Sequence, residues 1–82
     1  MVKNIITDED FELREFAEAN GLRDVVIARD RKYATIRQTP DARRFVIYIG
    51  RSYRGWSKEY EVAIRKAKEL LAVMSGDKYV AA

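Results

Sequence analysis

Three β-rich runs separated by very short connectors constrain this chain most. The runs are DVVIAR at residues 24–29, KYATIRQ at 32–38 and RRFVIYI at 43–49. Only Asp30-Arg31 separates the first two, and Thr39-Pro40-Asp41-Ala42 separates the second pair. A parallel crossover needs a dozen or more residues, so neighbours joined this tightly must pair antiparallel. Pro40 pre-sets φ at the first corner of its turn, and Asp41 suits the second. The centre of the chain therefore predicts a three-stranded antiparallel meander.

The flanks predict helices. Residues 7–20 open with Thr7 as N-cap and Asp10 three residues later, an approximate capping box. Ile6 and Phe11 fall at the positions of a hydrophobic staple. Asp8, Glu9 and Asp10 suit the positive end of a helix dipole. Leu13, Phe16 and Ala17 supply an apolar stripe, and Asn20-Gly21 supplies a stop. Residues 58–75, after an N-capping Ser57, place Tyr60, Ala63, Ile64, Ala67, Leu70, Leu71 and Met74 at helical spacing. Gly50 to Trp56 reads as a loop with Trp56 plugged into the core, and residues 77–82 as a frayed tail.

The expected fold is thus a single α+β domain over residues 1–82. Its order is α-β-β-β-α, with both helices packed on one face of a three-stranded antiparallel sheet. The expected core is Leu13, Phe16, Val26, Ala34, Ile36, Phe45, Ile47, Ile49, Ile64, Ala67, Leu70 and Leu71.

Composition narrows the function. The 82 residues include no Cys and no His. Disulfides, Cys/His metal sites, Cys nucleophiles and His bases are therefore excluded. No Gly-rich phosphate loop is present. The reading is a non-enzymatic binding module without cofactor or metal. No apolar run approaches a membrane span, and the start of the chain has no signal-type apolar core, so a cytoplasmic location is expected.

The net charge of +3 conceals a partition. Residues 1–22 hold two basic and six acidic groups, a net of −4. Residues 23–68 hold thirteen basic and five acidic groups, a net of +8, and nine of the thirteen are Arg. Arg offers a planar fork of donors matched to phosphate and to guanine edges.

Strand alternation then selects a surface. If Ala34 and Ile36, and Phe45, Ile47 and Ile49, point inward, then Tyr33, Arg37, Arg44 and Tyr48 point outward. Arg and Tyr interleaved on an exposed sheet suit nucleic acid, where cations meet phosphate and rings stack. Arg43, Arg51, Arg54 and Lys58 complete the candidate nucleic-acid-binding set, with Arg51 and Arg54 beside an expected helix N-terminus.

Two family resemblances bear on this. Residues 13–22, LREFAEANGL, and 57–71, SKEYEVAIRKAKELL, resemble the first and last helices of double-stranded-RNA-binding domains. That resemblance implies a phosphate contact for Lys58, although the family's Gly-Pro-x-His loop is missing. Residues 26–76 resemble the arm-type DNA-binding domain of phage integrases, with Gly50-Arg51 after the third strand. That resemblance implies an exposed sheet face, with Tyr33, Arg37, Arg44 and Tyr48, lying in the DNA major groove.

The leading functional expectation is a small accessory protein that binds DNA or double-stranded RNA. The alternative is a protein-binding module, such as a small phage-type inhibitor of a host protein, because Arg, Tyr and Trp also anchor protein interfaces. A homodimer formed through strand 24–29, read as an edge, is a further expectation.

Overall fold

The structure is a computed structural model that describes residues 4–17 and 21–81. Its elements run in the order β1 (Ile5–Ile6), a single 3-10 turn (Asp8–Asp10), β2 (Glu12–Ala17), β3 (Arg23–Arg29), β4 (Lys32–Gln38), β5 (Phe45–Ile49), β6 (Ser52–Ser57), α1 (Tyr60–Met74) and β7 (Lys78–Tyr79). Strands β2 to β6 form a five-stranded antiparallel sheet in sequence order. β1 and β7 form a separate two-stranded parallel pair. The fold is α+β with one helix, which corrects the expected three strands and two helices.

The meander forms as its connectors require. Asp30 and Arg31 both adopt positive φ (50° and 66°), the conformation of a two-residue hairpin turn. In the next turn the Ala42 N–H donates to the Thr39 carbonyl at 2.7 Å. The Asp41 carboxylate accepts from the Thr39 hydroxyl and from the Arg43 N–H. β3 starts one residue earlier than expected and β5 two residues later.

The first correction lies in residues 7–20. The local start signal is real: the Thr7 N–H donates to Asp10 at 2.8 Å, and Ile6 and Phe11 are both buried. The turn nevertheless ends at Asp10, and Glu12 to Ala17 pair with β3 from Ala28 back to Arg23. A helix here would have left a row of β3 backbone groups unpaired, and satisfying that row outweighs local propensity. The expected stripe is not used as a core, since Leu13 is 42% and Phe16 50% exposed. The helical reading of residues 18–20 lies outside the described residues.

The second correction is β6. Gly50, at φ +58°, turns the chain so that residues 52–57 pair with β5 and do not form a loop. Strand β3 consequently lies inside the sheet, between β2 and β4, and is not an edge; the edges are β2 and β6. α1 begins at Tyr60, because Ser57 belongs to β6 and its hydroxyl accepts the Glu59 N–H at 3.1 Å.

The third correction is the tail. Asp77 is buried against Arg29 at 2.6 Å. Lys78 N–H donates to Asn4 and Val80 N–H to Ile6. The segment is therefore pinned across the start of the chain.

The core lies between α1 and one sheet face. Val25, Ile27, Ala34, Ile36, Phe45, Ile47 and Ile49 point from the sheet, and Ala63, Ala67, Leu71 and Ala72 from the helix. Expected core positions Ile64 and Leu70 are only partly buried, and Val26 faces the other way. Lys68, although charged, is buried with its ammonium 3.0 Å from Asp8.

Candidate nucleic-acid interface

With α1 on one face, the other face of the sheet carries no helix. Cross-strand register arranges that face in rows. One row runs Arg14, Val26, Thr35, Tyr48, Tyr53. The next runs Phe16, Asp24, Arg37, Val46, Trp56. A third runs Glu12, Ala28, Tyr33. The face thus mixes five aromatic rings and two arginines with small or branched residues and with the carboxylates of Glu12 and Asp24.

The outward parity expected for Tyr33, Arg37 and Tyr48 is the parity the strands adopt. Tyr33, Thr35, Arg37, Tyr48, Gly50 and Arg51 line one shallow cleft of about 400 Å³. Arg44 lies just before β5, and its guanidinium sits 4.4 Å from the centre of the Trp56 ring. Arg43 belongs to the exposed turn, with its N–H held by Asp41. Arg54 and Lys58 are exposed within and just after β6.

Sequence reading missed Tyr53 and Trp56. Trp56 is not a core plug: it is 43% exposed on the open face. Tyr53 is 58% exposed and meets Tyr48 edge-on, with ring centres 6.2 Å apart. These two residues are three apart in sequence, so a regular strand would point them to opposite faces. A β-bulge changes that. Gly55 pairs with Ile47 and Tyr53 with Tyr48, which leaves Arg54 as the extra residue. Gly55 sits at φ +126°, a conformation that L side chains rarely adopt. The usable signal was an aromatic-bearing run bounded by a glycine turn immediately after a strand.

The ion pairs sort the cations. Arg23 pairs with Glu15 at 2.7 Å, Arg29 with Asp77, Arg37 with Asp24 at 3.7 Å, and Lys68 with Asp8. Among the described residues, no ion pair involves Arg44, Arg51, Arg54 or Lys58. Arg44 lies just before β5, Arg51 between β5 and β6, Arg54 within β6 and Lys58 just after it, while Arg31, Lys32, Arg43, Arg65 and Lys66 are likewise in no ion pair among the described residues. In sequence, Glu59 directly follows Lys58, and Asp41 lies three residues before Arg44. The Thr39 hydroxyl and then the Arg43 N–H hold the pKa of Asp41 below the ordinary carboxylate value.

No helix among the described residues is long and apolar enough to cross a membrane. Comparison with protein-family models, with curated proteins and with solved structures gives no match.

Proposed function

We propose that this chain is a non-enzymatic nucleic-acid-binding module that uses its helix-free sheet face. One observation carries the reading. The Arg44 guanidinium lies on the exposed Trp56 ring, and Arg44, Arg51, Arg54 and Lys58, none in an ion pair among the described residues, fall in or next to β5 and β6, the strands that bear Tyr48, Tyr53 and Trp56. Polyanion binding needs uncommitted positive charge, and it benefits from rings that pack on sugar and base.

The test is a titration of labelled DNA and RNA, single- and double-stranded, at low and moderate salt. Affinity should fall steeply as salt rises, because each neutralised phosphate releases counterion. Arg44→Ala combined with Arg51→Ala should weaken binding and flatten the log–log salt slope by roughly 1 per residue removed. A protein that binds none of these polymers at low salt overturns the proposal. Capture of a partner that survives nuclease treatment would then favour a protein-binding role.

A further inference from the structure

We propose that the strand engaged by this face is single, with unpaired bases stacked on Tyr53, Trp56 and Tyr33. The inference rests on the nucleic-acid reading above and narrows it to a substrate class. Two features of the face support it.

The first is width. Five strands at about 4.8 Å spacing span about 19 Å of backbone. The major groove of B-DNA is about 12 Å wide and accommodates a helix or a two-stranded ribbon. Here Tyr33, Tyr48, Tyr53 and Trp56 lie on β4, β5 and β6, and Phe16 extends the same face to the far edge at β2. A broad sheet suits a flexible strand laid over it better than a rigid groove closing round it.

The second is the character of the rings. Tyr33 and Tyr53 are 47% and 58% exposed, far more than hydroxyl contact alone requires. The edge-on packing of Tyr53 against Tyr48 fixes the ring without covering both of its faces. The Arg44 guanidinium lies on Trp56 and extends that platform with a second planar, cationic surface. Bases in a duplex offer only their edges to such rings, whereas unpaired bases offer their faces. Arg37 and Arg51 line the cleft beside Tyr33 and Tyr48, where a backbone crossing the face would meet them.

Trp56 is the chain's one tryptophan, so intrinsic fluorescence reports directly on this surface. The probes are oligothymidine and a mixed-sequence duplex of equal length, followed by both fluorescence and anisotropy. Oligothymidine should quench Trp56 and bind at least tenfold more tightly than the duplex. Tyr53→Leu, which keeps bulk but removes the ring, should weaken oligothymidine binding by roughly 5- to 100-fold. Tyr53→Phe should bind like the parent protein. Circular dichroism checks that each variant retains the sheet.

Equal or tighter duplex binding overturns the inference and leaves the nucleic-acid reading standing. So does oligothymidine binding without quenching, or a Tyr53→Leu protein that binds normally. Binding of neither probe at low salt overturns both.

Discussion

Ile36 and Ile47 are fully buried between sheet and helix, on adjacent strands. Truncating either removes packing that no neighbour can replace. Ile36→Ala should cost about 2–5 kcal/mol and lower the melting temperature by roughly 10 °C or more. The Arg29–Asp77 pair is comparably exposed to damage: the side chains are 14% and 8% accessible, and Arg29 Nη1 has no hydrogen-bond partner. Asp77→Ala would leave the buried guanidinium with the exposed Asp30 carboxylate, 4.0 Å away, as its remaining ion-pair partner among the described residues, at a cost of about 3 kcal/mol measurable by urea unfolding. Two tyrosines set the alkaline limit. Burial first, then the bond to Glu15, pushes the Tyr60 hydroxyl up to about 12; burial and Asp8 do the same for Tyr79. The folded protein thus keeps protons that the unfolded chain releases near pH 10. The resulting stability is complete below about pH 10 and lost between about 10 and 12. Glu15 works in the opposite direction. Tyr60 and then Arg23 lower it from 4.5, so its contribution is present above that pH and disappears as acid protonates the folded carboxylate. Unfolding midpoints across pH should show both declines. Tyr60→Phe should shallow the alkaline decline and move the acid one to higher pH.

At the scale of elements, legibility tracked whether the determining contact was local. The β3–β4–β5 meander was readable because its two connectors are too short for any other geometry, and α1 because its apolar stripe persists over four turns. β2 was not readable. Its Leu13 and Phe16 imitate a helical stripe, and what decides its conformation is the hydrogen-bonding row of β3, a non-local partner. The glycines around β6 read as loop, although Gly50 only turns the chain and Gly55 only bends it. The open-face set Tyr33, Arg37 and Tyr48 followed from parity alone, whereas Tyr53 and Trp56 required knowledge of the bulge. The Asp30-Arg31 turn offers an element-level test, because both residues occupy the left-handed region without being glycine. Asp30→Asn with Arg31→Gly matches the preference of that turn and should stabilise the hairpin by about 1 kcal/mol, read as a higher melting temperature.

Across the whole molecule, the charge partition seen in the sequence becomes a division of labour. Acidic residues near the start of the chain hold basic residues of the middle: Glu15 takes Arg23, and Asp8 takes Lys68. The acidic segment is therefore in part an internal counterion to the basic block. Part of what it leaves uncommitted, Arg44, Arg51, Arg54 and Lys58, falls in or next to β5 and β6, and that part is the basis of the proposed function. The bulge at Arg54 carries a further consequence. Substitutions change what a position offers, but strand parity is changed only by altering residue count. Deleting Arg54 should remove the bulge and leave Tyr53 and Trp56 two residues apart in a regular strand, with both still on the open face and Tyr53 still opposite Tyr48. The facing of the two rings thus depends on spacing and bulge together, and related chains that share this surface should carry either a bulge with the rings three residues apart or a regular strand with the rings two apart.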